Sequence, residues 1–199
     1  PYALHFMEKV SSLAFGKSNT FATCQESRNT YNDSYEGDDF MGPTLWTSDL
    51  SIFGKSNPEA VEFLSDAFNM PTDLGSHLDM NHETPLCMGI AWERDNVFWT
   101  LDGSDGSIDR NDFAEDHGPG FDDHSDGVIT RYAVGEFKRQ EGVPSHLIID
   151  PQTDALYIAD AGNNAVKVMD INSGETGGWL EVKEPGVTHY EICLLYTSP

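Results

Sequence analysis

Basic side chains are scarce in this sequence. Lys and Arg number 11 against 34 Asp and Glu in 199 residues, a formal charge of −23. A field of that sign repels nucleic-acid backbones and anionic membrane surfaces, so nucleic acid is excluded as a partner. It draws cations instead, Ca²⁺ first among them, because hard cations take carboxylate oxygens. The same acid excess also serves solubility alone. Long apolar runs are missing too. No stretch approaches the ~18 apolar residues of a bilayer-spanning helix. The chain opens at Pro1 with neither Met nor a signal-like apolar segment, so the native N-terminus is expected to lie upstream. Cysteine is sparse, at three residues. Cys193 falls in the closing ICLLYTSP, which fits no repeat and resembles adaptor read-through. Residues 191–199 are therefore expected to be a non-native tail, and 1–190 the domain. Cys24 and Cys87 remain, either paired in an oxidising compartment or buried and reduced.

Catalytic signatures are absent as well. There is no HExxH, CxxC pair, GxSxG, phosphate-binding loop or dinucleotide fingerprint. Ser76 and Ser145 each precede a histidine, but strand neighbours point to opposite faces and make no nucleophile–base pair.

What is present is a repeat. Apolar residues at 38% and aromatics at 11% suffice for a core. From Gly89 the chain reads GIAWERDNVFWTLDGSDGSIDRNDF, and from His146 HLIIDPQTDALYIADAGNNAVKVMDI. In both, a short apolar strand ends in an acid (Glu93, Asp150). A polar turn leads to a second strand ending at Asp102 or Asp160. A Gly-rich turn then leads to a third strand. A weaker copy starts at Ser12, with Ala14, Asn19 and Phe21 standing where Ala91, Asn96 and Phe98 stand. A fragment spans Thr44–Phe53. Alternating apolar positions predict a strand–turn–strand–turn–strand unit. Such a unit buries both faces only by stacking on its neighbours. Between Phe53 and Leu74, Pro58 and the spacing of Ala60, Val61, Phe63, Leu64, Ala67 and Phe68 predict a short helix near 58–69. Trp46, Trp92 and Trp99 read as core or packing between units.

LYIADAGNNAVKVMD resembles the signature of NHL-repeat β-propellers. The resemblance is clear over about 144–174 and 88–113 and faint over Ser12–Tyr31 and Thr44–Phe53. It implies an all-β, NHL-type β-propeller with about four blade-like units, a fragment of a six-bladed ring.

Histidines gather in the polar insertions, of which Asp116–Gly127 is expected to lie between two of the repeat units. His77 and His82 lie in GSHLDMNHETP with Asp79. His117 and His124 lie in DHGPGFDDHSDG with Asp122 and Asp126, and His146 lies in PSHLIID. These eight residues are the candidate metal ligands. Zn²⁺, or another divalent ion that accepts imidazole, requires three or four of them to converge. Ca²⁺ is the other candidate. Asp122, His124, Asp126 and Gly127 follow the alternation of a Ca²⁺ loop, but Ala133 stands where its closing Glu belongs. The DGSDGSIDRND turn, with Asp102, Asp105 and Asp109, reads as ordinary turn chemistry. Arg131 follows the acidic 116–127 loop and is expected to neutralise it rather than to hold a substrate carboxylate.

Two functions follow as expectations. The first is a secreted or extracellular, cation-stabilised module that binds a small ligand or protein; the NDS sequon at Asn32 agrees with secretion. The second is a metal-dependent lyase or hydrolase at a channel mouth, distantly similar to peptidyl-hydroxyglycine amidating lyase. That family places its zinc-binding histidine one position earlier, where this chain has Ser145, and a one-residue shift on a strand reverses a side chain.

Overall fold

The computed structural model describes residues 7, 9–28, 40–55, 58–68, 77–120, 124–179 and 191–196. Their strands form three sheets. The first is β1 (Val10–Phe15), β2 (Thr20–Gln25), β3 (Thr44–Thr47) and β4 (His77–Met80), paired in that order and antiparallel throughout. The second runs β5 (Ile90–Arg94), β6 (Val97–Asp102), β7 (Ser107–Asp112) and β8 (Val128–Tyr132), again antiparallel in chain order. The third is β9 (Leu147–Asp150), β10 (Ala155–Asp160) and β11 (Ala165–Asp170). The fold is all-β with one α-helix among the described residues, α1 (Pro58–Phe68), where the insertion pattern places it. Pro58 opens α1, since its missing N–H costs nothing in a first turn.

The tight turns follow from local chemistry. Asn164, in the GNN turn before β11, sits in the left-handed region at φ 52°, which Asn tolerates better than most residues. Gly106, before β7, has φ 64°.

Alternation decides how the sheets stack. On β5–β8, Ala91, Trp99, Leu101, Ile108 and Tyr132 share one face and pack on Leu147, Leu156, Ile158 and Met169 of the third sheet. The opposite face, with Ile90, Phe98 and Phe113, packs on Ala22, Cys24, Leu45 and Leu78 of the first sheet. The first strands β1, β5 and β9 touch in sequence along one side of the stack. There the backbones come close: the Ser145 N–H donates to the Met88 carbonyl at 2.8 Å. A Cβ at Gly89 would stand 1.6 Å from the Ser145 carbonyl oxygen. A disulfide joins Cys24 of β2 to Cys87, just before β5, so the first two sheets are covalently stapled.

Three points differ from the sequence expectation. The two faintest repeat copies are not separate units, because β1–β2 and β3 pair into one sheet. The Asp116–Gly127 segment joins β7 to β8, adjacent strands of a single sheet, rather than bridging two units. Trp46 and Trp99 are buried, but Trp92 is partly exposed and donates its Nε1–H to the Asp95 carbonyl. In the segment set aside as a tail, β13 (Glu191–Tyr196) runs parallel to β8 and pairs with β12 (Glu175–Trp179). No described helix is long and apolar enough to cross a membrane.

Candidate metal centre

The site forms where the β7–β8 connection reaches back onto β4. A bulge in β4 shifts its register against β3, so that Leu45 pairs with Asp79 and Trp46 with His77. A bulge re-aims side chains that strict alternation would send apart. Leu78 therefore joins the core between the first two sheets while Asp79, its neighbour, meets the loop. The Gly120 N–H donates to the His77 carbonyl at 2.8 Å and the His124 Nδ1 lies 2.8 Å from Asp79 Oδ1. Within the loop, Asp126 Oδ1 lies 2.8 Å from His117 Nε2, and its Oδ2 accepts the Glu115 N–H at 3.1 Å.

Asp79, His117 and Asp126 thereby each bring a ligand atom to within 4.8 Å of the others. Three such groups could hold a metal ion. Tetrahedral Zn²⁺, with bonds of about 2.0–2.2 Å, sets its ligand atoms about 3.3–3.6 Å apart, whereas the longer bonds of Ca²⁺, about 2.3–2.6 Å, accept wider spacings.

Asp79 carries the electrostatic case. It is fully buried. Oδ1 accepts the Met80 N–H at 2.6 Å and faces His124, whereas the buried Oδ2 has no hydrogen-bond partner. Burial pushes its pKa above the usual carboxylate range, and the hydrogen bond and charge of His124 only partly oppose that. A buried carboxylate oxygen left unsatisfied costs about 1–3 kcal/mol or more. A cation at this position would remove the cost, so the residues fit the ion.

The other candidate ligands are distributed around this group. The His124 ring lies between those of His77 and His82, at 5.6 and 5.9 Å between centroids. His77 also packs edge-on against Trp46. Among the described residues, however, these three imidazoles do not meet at one ligand point, and the group that does contains one histidine. His146 is exposed at the start of β9 and stands outside the group, while its neighbour Ser145 is buried. Asp122 lies outside the described residues, as does Asn32. Asn81, which the sequence reading passed over, is fully buried with neither amide atom hydrogen-bonded. The signal for it was its place two residues after Asp79, just past the end of β4.

The second acidic cluster is closed by a protein cation. Arg131, on β8, is buried and reaches Asp105 at 2.8 Å, Asp109 at 3.1 Å and Asp102 at 3.5 Å. It also donates to the Glu83 carbonyl. The guanidinium thus neutralises the acids of the Asp102–Asp109 turn, not the 116–127 loop that the sequence reading gave it. Asp102 Oδ1 accepts the N–H groups of Ser104 and Asp105. Its pKa is nevertheless raised well above the usual range, by burial first and by the Asp109 charge second.

No family model, curated protein or solved structure matches the chain.

Proposed function

We propose that the chain is an NHL-type propeller module, extracellular, whose β7–β8 loop is fixed onto the first sheet by a bound divalent cation. The module's role is to bind a ligand or protein on the surface so ordered. One observation carries this reading: Asp79, His117 and Asp126 each bring a ligand atom within 4.8 Å of the others, and Asp79 has a buried oxygen without a hydrogen-bond partner. Distances alone admit Ca²⁺. The imidazole favours a borderline ion such as Zn²⁺ or Mn²⁺, since hard Ca²⁺ prefers an all-oxygen shell. The repeat pattern, the serial contact of β1, β5 and β9 and the stacked sheets support the propeller. The disulfide supports an oxidising compartment.

The test is to strip the protein with chelator and add back Zn²⁺, Mn²⁺ or Ca²⁺ singly while following thermal unfolding. At about a hundredfold over Kd, a native-state ligand adds about 2.7 kcal/mol, or roughly 5–10 °C for a chain of this size. Asp79→Asn and Asp126→Asn should each abolish the shift given by the preferred ion. No shift with any of the three ions overturns the reading.

A metal-dependent lyase or hydrolase is the second reading, favoured by the 2.8 Å contact of His124 with Asp79. An imidazole oriented by a carboxylate next to a metal ligand is placed to move a proton.

A further inference from the structure

Asn81 is fully buried, and neither its amide oxygen nor its amide nitrogen has a hydrogen-bond partner. An amide buried with both ends unpaired is costly unless something else at its position offsets the loss. Its backbone is firmly placed. The Asn81 N–H donates to the Pro43 carbonyl at 3.0 Å. That bond carries the β3–β4 ladder one residue past the Leu45–Asp79 and Thr44–Met80 pairs. Gly42 presses on the same peptide, for a Cβ there would stand 1.6 Å from the Asn81 carbonyl oxygen. The shift in register lies between Leu45 and Trp46, so the ladder is regular from Asp79 to Asn81. Alternation then puts the Asn81 side chain on the same face as that of Asp79, whose Oδ2 is also buried and without a hydrogen bond. Residues two apart on a strand are about 7 Å apart. Two short side chains at that spacing share one ion with bonds of about 2.3–2.6 Å when each leans inward by about 1 Å.

We propose that Asn81 is a further ligand of the cation, its Oδ1 joining Asp79, His117 and Asp126. This inference rests on the cation reading above and sharpens which ion the site takes. No hydrogen bond holds either end of the amide, so Oδ1 turns to the ion without breaking one. Carbonyl oxygens of this kind suit Ca²⁺ and Mn²⁺, whereas Zn²⁺ takes thiolate, imidazole and carboxylate. With Asn81 the shell holds oxygens from Asp79, Asp126 and Asn81 and one nitrogen from His117. The mixture of carboxylate, carbonyl and imidazole suits Mn²⁺ best. Zn²⁺ needs only the other three residues and a water to reach four ligands. Asn81 therefore discriminates between ions rather than serving all of them alike.

The experiment titrates Mn²⁺, Ca²⁺ and Zn²⁺ separately into chelator-stripped parent, Asn81→Leu and Asn81→Asp proteins by calorimetry. Asn81→Leu should weaken Mn²⁺ and Ca²⁺ by about tenfold or more, at least the loss seen when a group supporting a metal site is removed, and leave Zn²⁺ nearly unchanged. Without any ion, its melting temperature should equal or exceed the parent's, since an apolar group of similar size replaces a buried, unpaired amide. Asn81→Asp keeps an oxygen at the position and should hold Mn²⁺ at least as tightly as the parent. Equal weakening of all three ions by Asn81→Leu would mean that the residue only supports the fold, and overturns the proposal. So does an Asn81→Leu protein that binds Mn²⁺ and Ca²⁺ as the parent does. If Asp79→Asn abolishes binding in that same assay, the cation reading stands without Asn81. A parent that binds none of the three ions overturns both. Should Asn81→Leu fail to fold, Asn81→Asp decides: Mn²⁺ binding weaker than the parent's overturns the proposal, and binding as tight or tighter upholds it.

Discussion

Asp79 and Asp102 are both buried carboxylates with one oxygen that accepts no hydrogen bond and a pKa raised by burial, but they meet different cations. Asp102 has a resident cation in Arg131 and two backbone donors, yet it shares that cation with Asp105 and Asp109. Asp79 has His124 and one backbone donor, with one oxygen left over. The sequence did not assign the cation to its cluster, because Arg131 follows the 116–127 loop yet reaches Asp102, Asp105 and Asp109. It did not show which acid would be buried, since burial depends on which sheet closes over a turn. A pH dependence follows for Asp102. Its folded pKa exceeds its unfolded value, so between the two the native state holds the extra proton. Stability is then greatest below the ordinary carboxylate pKa and falls as pH rises through that window. The fall is about 1.4 kcal/mol for every pH unit that the window spans. Asp102→Asn should flatten this decline in urea unfolding measured across a pH series. A decline as steep as the parent's would exclude Asp102 as its source. Glu93 behaves oppositely. Burial raises its pKa, but hydrogen bonding and charge from Arg110, with the Trp99 Nε1–H, lower it more. Its contribution is present above the ordinary value and lost as pH falls through the lowered one.

At the scale of elements, the repeat was legible because it is written in side-chain alternation. Strands β5–β7 and β9–β11 fall on the two strong copies, and α1 falls on the helical spacing. The register of β4 was not legible. The bulge that turns Leu78 into the core and Asp79 to the loop depends on pairing with β3, from which β4 is separated by the whole helical insertion. For the same reason the sequence offered eight candidate ligands, five histidines and three aspartates, while the fold gathers Asp79, His117 and Asp126. The glycine at the start of β5 is explained by contact rather than by local conformation. It lies where β5 and β9 approach, and any side chain there meets the Ser145 carbonyl. Gly89→Ala should therefore cost about 1–3 kcal/mol, the usual range for overpacking, in denaturant unfolding. A change within about 0.5 kcal/mol, as at an ordinary surface position, would mean that the strands do not approach so closely.

For the whole molecule, three sheets in series make a chain of interfaces rather than a single core. The middle sheet is covered on both faces, and each outer sheet is covered chiefly on one. Stability is then expected to be a sum of neighbour terms. The sequence reading recovered the unit but miscounted it, because a faint copy of two strands and a faint copy of one look like two units until their pairing is known.

The Cys24–Cys87 bond crosses the same seam that the metal group crosses. The disulfide ties β2 to the entry of β5, and Asp79, His117 and Asp126 tie β4 to the connection leaving β7. A covalent clamp and an ionic clamp on one seam are thermodynamically linked. Each lowers the entropy lost in closing the other, and reciprocity makes the coupling equal in both directions. Breaking the bond frees a loop worth about 4 kcal/mol in chain entropy. Reduction should therefore weaken cation affinity, and a bound cation should make the disulfide harder to reduce. Titrating the cation into oxidised and reduced protein measures one arm, and the thiol–disulfide equilibrium with and without the cation measures the other. Equal affinities in the two redox states would show that the seam closes without either clamp. Coupled as expected, the two clamps would make cation affinity higher in oxidising surroundings than in reducing ones.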